Sequence, residues 1–367
     1  MPYEGRAAVL NDPGKPVEVI DIVVDDPGPG EVLVRLAASG VCHTDLHVKN
    51  MGGLGMAYPI MLGHEGAGYI EAVGEGVNTL KPGDPVVIAY RAPCEHCPAC
   101  LRGDPRRCWM ALRPKQRVHR KSDGVLLTQV LRCGTFATHT VVHSKAAIKM
   151  PAEMPLDRAC LLACGVITGV GAALNTAPVF AGANVAVFGC GGVGISVIQG
   201  AKLAHAKRII AVDIAETKLK WAKDFGATHT VNAAGGDVVA KVREIADGVG
   251  VDFAYEAVGI PQTIEQAVAS LTYAGTATHI GLPEDEQQVT LNFGNVDTGI
   301  YWNKATLKVC HCGDALPSND FPLLAQLYLQ KQLKLDEMVT ARITLDQVNE
   351  AFHAMEGGDV LRSVIIL

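Results

Sequence analysis

Residues 185–194, VAVFGCGGVG, decide the fold. A short apolar run of β-type residues ends in Gly189, Gly191, Gly192 and Gly194, and a helix-like stretch, GISVIQGAKLAHA, follows at once. A strand, a tight glycine turn and a helix N-terminus in that order let the backbone approach a pyrophosphate closely, with the helix end adding partial positive charge. An ordinary glycine turn of an α/β domain has the same local pattern, so the flanks have to decide. The next strand-like run, RIIAVD, ends on Asp213, nineteen residues past Gly194, where a carboxylate accepts hydrogen bonds from an adenosine ribose and repels a 2′-phosphate. The pattern therefore favours NAD over NADP.

Outward from this turn the alternation continues. ETKLKWAKDFGA, HTVNA, VDFAYEAVG and ATHIGL follow as helix-like and strand-like runs, the spacing of βαβ units around a parallel sheet. The pattern fades near residue 305. Before Gly165 the chain instead shows short β-type runs such as EVLVRLAAS and GYIEAVGEGV, separated by turn clusters such as PGPG and LKPGD. The expected organisation is α/β: a mostly β domain from residues 1–165 and 306–367, with a doubly wound dinucleotide-binding domain of residues 166–305 inserted in it and a cleft between them. At 367 residues, 49% hydrophobic with 39 glycines, the chain has ample material for two cores.

The net charge of −6 and pI of about 6.1 disfavour capture of nucleic acid or an anionic membrane. No apolar run is long enough to span a bilayer and the amino terminus has no signal pattern, so a cytoplasmic location is expected. The basic stretch from Arg106 to Arg120 reads as a solvated loop; Arg113, Lys115 and Arg117 in it are candidates for an anionic substrate.

Eleven cysteines in a reducing compartment point to burial, catalysis or metal rather than disulfides. Cys94, Cys97, Cys100 and Cys108, in CEHCPACLRGDPRRC, fit a closed tetrahedral zinc site better than a redox CxxC or a disulfide knot, and a closed site offers substrate no open position. Chemistry has to lie elsewhere. Cys42 in VCHTDLH, His64 in GHEGAG and Cys164 in LLACGV form a thiolate–imidazole–thiolate set that would leave a fourth zinc position open, although each alone reads equally as a core cysteine or a hydrogen-bonded histidine. Core packing is the expectation for Cys133, Cys160, Cys190, Cys310 and Cys312.

CHTD at Cys42, GHE at His64, the four-cysteine cluster, LLACGV and GCGGVG occur in the order seen in zinc-dependent alcohol dehydrogenases of the medium-chain dehydrogenase/reductase superfamily, and the chain resembles that family along its whole length. The resemblance implies a GroES-like catalytic domain carrying a structural zinc lobe at residues 91–110, together with a Rossmann NAD-binding domain. It implies two zinc ions per subunit: a catalytic one on Cys42, His64 and Cys164, with Glu65 behind or transiently on the metal, and a structural one on the clustered cysteines. Asp45 would orient His64, and Thr44 and His47 would relay a proton. His43 and Arg362 match positions at the coenzyme pyrophosphate, Gly189, Gly191, Gly192, Val193 and Gly194 the phosphate turn, and Asp213 and Lys218 the ribose. Thr168, Ile280 and Leu282 match the nicotinamide wall.

The implied reaction is reversible hydride transfer to NAD from the zinc-bound alkoxide of a primary, bulky or aromatic alcohol, giving an aldehyde. CHTD, Tyr90, LPSNDFPLLAQLYLQ and the closing GDVLRSVIIL also resemble the class III and mycothiol-dependent formaldehyde dehydrogenases, so oxidation of an S-hydroxymethyl adduct of mycothiol or glutathione is the alternative. An inactive NAD-binding sensor or structural protein is a third reading, and the complete Cys42, Thr44, His64 and Cys164 set argues against it. The segment from Trp109 to Cys133 resembles a loop of dimeric relatives, which makes a homodimer the expectation, with a tetramer as the alternative.

Overall fold

The computed structural model describes residues 2–52, 55–112, 114–284 and 286–367. Arg113, one of the candidates for an anionic substrate, lies outside the described residues. The chain divides into two compact units, Met1–Cys164 with Leu316–Leu367, and Gly165–Ala315. The return to the first unit falls ten residues later than residue 306, the position expected from sequence, because Thr306–Val309 joins the parallel sheet as its sixth strand beside Leu271–His279.

The second unit is built on that sheet. Its strands run in the order His229–Asn232, Arg208–Asp213, Asn184–Phe188, Val251–Glu256, Leu271–His279, Thr306–Val309, and every pair is parallel. The strand order therefore reverses beside Asn184–Phe188, and the crevice at the carboxyl ends of such strands is where open α/β sheets bind ligands. Helix Glu216–Phe225 buries Leu219, Ala222 and Phe225, one face at helical spacing, and ends on Gly226 at φ 128°. Helix Val238–Ile245 starts where the Asp237 side chain accepts from the Ala240 amide at 3.0 Å. Small residues set the closest helix contacts: a Cβ on Gly169 would stand 2.5 Å from Cβ of Ser196, and one on Gly171 would stand 2.5 Å from the Gly313 carbonyl oxygen. Helix Gly165–Gly171 can thus press against both helix Gly192–Leu203 and the turn at Gly313.

The described residues of the first unit form a five-stranded and a seven-stranded sheet. The strand Glu31–Gly40 is central to the larger one, pairing antiparallel with Glu65–Val73, His139–His143 and the carboxyl-terminal Arg362–Ile366. Nearly all its residues are buried, as a strand covered on both faces requires. Its register matters for function, because Gly40 stands opposite both Glu65 and Val364, which draws the chain terminus and its Arg362 to the beginning of strand Glu65–Val73. One hydrophobic cluster of this unit joins Val41, Leu46, Val48, Ile60, Leu62, Phe136 and Ile365, and so anchors helix His43–Asn50 to the sheets. Among the described residues no single helix is long and apolar enough to cross a membrane.

Candidate functional site

Three separate stretches of the first unit deliver one cluster. Cys42 precedes helix His43–Asn50 in extended conformation, His64 and Glu65 open the strand Glu65–Val73, and Cys164 closes the turn that follows Cys160–Ala163. One donor atom from each of Cys42, His64, Glu65 and Cys164 lies within 4.8 Å of the others. Two glycines make this possible. Gly63 has φ 89°, and its missing Cβ leaves room for Phe136, so the chain turns sharply just before His64. A Cβ on Gly40 would collide with the Glu65 carboxylate, which therefore needs glycine opposite it.

Ionisable groups surround the cluster in a buried setting. Asp45, fully buried on helix His43–Asn50, accepts from the Gly63 amide at 2.9 Å and faces Nδ1 of His64 at 3.3 Å, which orients the ring. The Cys164 thiol and the nearby His64 hold the Cys42 thiol well below its usual range against the effect of burial. Burial opposes charge on His64, and Asp45 and Cys42 outweigh it, raising that group well above the ordinary imidazole value. Burial lifts Glu65 to about 7 despite the guanidinium of Arg362, which is bonded directly to its carboxylate. Nε2 of His64 and Oε1 of Glu65 are buried and have no hydrogen-bond partner among the described residues. Buried polar atoms in that condition are costly. Two thiols, an imidazole nitrogen and a carboxylate oxygen converging on one point are the donor set a zinc ion satisfies, so the residues present fit that metal.

Thr44 and His47 stand three residues apart on helix His43–Asn50, hence on one side of it. Cys42 Sγ lies 3.7 Å from Thr44 Oγ1, and Nδ1 of His47 lies 3.0 Å from Sδ of Met51. The Tyr90 ring meets His64 edge-on, with centroids 6.0 Å apart.

Cys94, Cys97, Cys100 and Cys108 form the other convergent group, again with donor atoms within 4.8 Å of one another. The Cys94 amide points at Cys108 Sγ and the Cys97 amide at Cys94 Sγ, both at 3.3 Å. Burial pushes the Cys108 thiol up, yet the main-chain amides of Cys94, Ala111 and Met110 outweigh it and bring the group down to about 6. Amides aimed at sulfur favour thiolate, the form that binds metal. All eleven cysteines are free of disulfides.

In the second unit the glycine turn joins strand Asn184–Phe188 to helix Gly192–Leu203. Gly189 has φ 90°, a Cβ on Gly191 would meet nothing within 4 Å, and a Cβ on Gly194 would collide with the Gly189 carbonyl. Turn, open approach and close helix packing thus fall to successive glycines, as the motif requires. Asp213 is held at the end of its strand by the Cys190 amide at 2.8 Å and the Ala215 amide at 2.9 Å. Lys218 is half-buried on the following helix, Thr168 is nearly buried on helix Gly165–Gly171, and Ile280 and Leu282 follow strand Leu271–His279.

Some expected residues are placed differently from a simple reading of the pattern. Arg362 is only 6% exposed, with its guanidinium on Glu65 and the Val41 carbonyl. Arg117 is ion-paired to Glu31, whose other oxygen accepts from the Lys115 amide at 2.8 Å, so the basic loop is stitched to strand Glu31–Gly40. Two residues escaped the sequence reading. Ile214 is 71% exposed directly after Asp213, and Val258 is 45% exposed with its Cγ2 2.7 Å from where a Cβ on Gly189 would stand. An apolar residue just past each strand end was the available signal, and single exposed aliphatics are too common for it to count.

Comparison with known proteins agrees with this geometry. Residues 28–152 match the alcohol dehydrogenase GroES-like domain, and residues 192–330 match the zinc-binding dehydrogenase family. The chain is 35% identical to the alcohol dehydrogenase class-3 of Cereibacter sphaeroides, over 98% of this chain and 99% of that one. It is 36% identical to the S-(hydroxymethyl)glutathione dehydrogenase of Komagataella pastoris, over 99% and 97%. The crystal structure of benzyl alcohol dehydrogenase from Acinetobacter calcoaceticus superposes with a TM-score of 0.91 at 32% identity, covering 100% of this chain and 99% of that one. The chain belongs to the zinc-binding alcohol dehydrogenases of the medium-chain superfamily, on their class III-like side. It is thus an oxidoreductase of the type that uses zinc and a nicotinamide dinucleotide.

If Cys164 is a ligand of one of two zinc ions, metal analysis of the purified protein finds about two zinc per chain and of Cys164→Ser about one. Two retained zinc ions in a folded Cys164→Ser protein would remove Cys164 from the metal site.

Proposed function

We propose that this chain oxidises the S-hydroxymethyl adduct of a low-molecular-weight thiol by transferring hydride to NAD+. The observation that carries the catalytic part is the convergence of Cys42, His64, Glu65 and Cys164 beside a helix that also bears Thr44 and His47. Whole-chain likeness to two enzymes named for class-3 and S-(hydroxymethyl)glutathione chemistry supports the substrate. Primary alcohols, placed first by the sequence pattern, are the second reading. Likeness to a benzyl alcohol dehydrogenase favours it, as does Arg117, whose charge is committed to Glu31 and so is not available for the anionic tail of a thiol adduct.

Cys42, His64 and Cys164 would hold the catalytic zinc, with Glu65 adjacent, and Cys94, Cys97, Cys100 and Cys108 the structural one. Bound there, zinc supplies Lewis acidity toward the substrate oxygen, and NAD+ supplies the hydride acceptor. The chain's own groups manage the proton. Thr44 Oγ1 accepts it from the substrate hydroxyl while its own proton moves toward His47. Asp45 keeps the His64 ring oriented throughout, and Arg362 offsets the negative charge of Glu65. The carboxylate of Asp213 accepts the adenosine ribose hydroxyls and disfavours a 2′-phosphate, with Lys218 as a second ribose contact, and Ile214 and Val258 offer apolar walls for the adenine. Thr168, Ile280 and Leu282 line the nicotinamide side, and His43 stands for the pyrophosphate.

A homodimer belongs to the same reading. The edge strand Thr306–Val309 leaves Leu307 and Val309 exposed, and exposed Phe293, Tyr301 and Trp302 lie in the segment before it. Bare apolar edges of this kind invite pairing with another chain, and a twofold pairing of two such edges closes both.

Three outcomes are expected. NADH formation followed at 340 nm is faster with formaldehyde plus glutathione or mycothiol than with formaldehyde alone or with a panel of primary and benzylic alcohols; the reverse order would favour the second reading. Thr44→Ala loses at least about tenfold in kcat with both zinc ions retained, and unchanged kcat would take Thr44 out of the proton path. Light scattering gives a dimer that Leu307→Lys with Val309→Lys converts to monomer, whereas a dimer surviving those charges would place the interface elsewhere.

A further inference from the structure

Glu256, the last residue of strand Val251–Glu256, is 1% exposed and carries a heavily used carboxylate. Its Oε1 accepts from the amides of Val258 at 2.7 Å and Gly259 at 2.8 Å and from the Thr263 hydroxyl at 2.8 Å. Its Oε2 faces Nδ1 of His279 at 2.6 Å. His279 ends the neighbouring strand, and its side chain is 14% exposed. The main-chain oxygen of Glu256 also accepts from the amides of Ile280 at 2.8 Å and Gly281 at 3.2 Å, while that of His279 accepts from Cys310 at 2.9 Å. Burial pushes the Glu256 carboxyl up, and the bonds from His279, Gly259, Thr263 and Val258 outweigh it and hold it ionised.

Glu256 and His279 thereby tie together the turns that leave two adjacent strands. The turns are in backbone contact: a Cβ on Gly259 would stand 2.5 Å from the Leu282 carbonyl oxygen. The first turn carries Val258 against Gly189, and the Ala257 amide bonds the Phe188 carbonyl at 2.8 Å. The second turn carries Ile280 and Leu282. Both lie at the carboxyl edge of the parallel sheet, the edge where such sheets bind ligands.

We propose that His279 is a positioning residue for the dinucleotide: by donating from Nδ1 to Glu256 it locks turns 257–259 and 280–282 into one fixed wall on the cofactor side of the second unit. The inference rests on the reading of that edge as the NAD site. Oε1 has three other donors, whereas among the described residues Oε2 is bonded by His279 alone, so losing that bond leaves a buried carboxylate oxygen to be satisfied by movement of the turns. Neither the metal cluster nor the proton path involves His279.

The test is NADH binding by fluorescence titration of the zinc-loaded protein, with steady-state kinetics alongside. His279→Leu should weaken NADH binding by about tenfold, with KM for NAD+ rising in proportion and kcat changing much less. His279→Asn, whose amide nitrogen sits at the height of Nδ1, should recover most of the affinity. Unfolding midpoint and zinc content serve as controls. NADH affinity of His279→Leu within twofold of wild type overturns the inference while leaving the NAD site intact, as does an asparagine variant as weak as the leucine one. A wild-type protein that binds no NADH overturns both.

Discussion

Charge held inside protein is the constraint from which the first unit is organised. Asp45, His64 and Glu65 are fully buried, and Arg362 is almost so, within one neighbourhood that also holds Cys42 and Cys164. Each such group alone would be driven to its neutral form or to solvent. Together they are tolerated because the signs alternate: Asp45 against His64, His64 against the thiols, Arg362 against Glu65. Removing one partner of a buried ion pair costs about 3–5 kcal/mol, so Glu65 and Arg362 depend on each other across almost the whole length of the chain. The carboxyl-terminal strand meets that dependence by lying inside the larger sheet, between Glu31–Gly40 and Val339–Ile343. An ion pair at the surface would not need it, because water would substitute for the lost partner.

The second unit meets a different demand, which is close approach of backbone to backbone. Gly189, Gly194, Gly169, Gly171, Gly259 and Gly313 each stand where a side chain would strike main-chain or packed atoms, and they lie around the carboxyl ends of the strands or on the helix packed beside them. Rigid turns are the result. Asp213 and Glu256 show how the polar groups there are handled, each carboxylate being held by main-chain amides so that its direction is set before any ligand arrives. Preorganised acceptors of this kind lose little freedom on binding.

The two cysteine sites illustrate opposite uses of one chemistry. In the lobe from Cys94 to Cys108 four ligands come from fifteen residues, and local amides already favour the thiolate of Cys108, so the lobe is nearly self-contained. In the other site the ligands come from three distant stretches, and the surrounding sheets have to bring them together. A local site can be recognised from spacing, and a dispersed one cannot.

That difference also separates what was legible in the sequence from what was not. VAVFGCGGVG followed by RIIAVD, the alternation of strand and helix runs, and the CxxCxxC spacing depend on neighbours in the chain, and the amino-acid order alone determined the parallel sheet, the glycine turn, Asp213 and the four-cysteine cluster. Cys42, His64 and Cys164 were suggested by residue type and linked by family resemblance, but their convergence within 4.8 Å depends on Gly63, on Gly40 and on sheet register. Only the tertiary structure decided that Arg362 turns inward to Glu65, that Arg117 is committed to Glu31, that Thr306–Val309 extends the parallel sheet, and that His279 meets Glu256. The physical reason is common to all four: each is a pairing across the fold whose partners carry no mark of one another in their local sequence, so that the pairing exists only once the chain has folded.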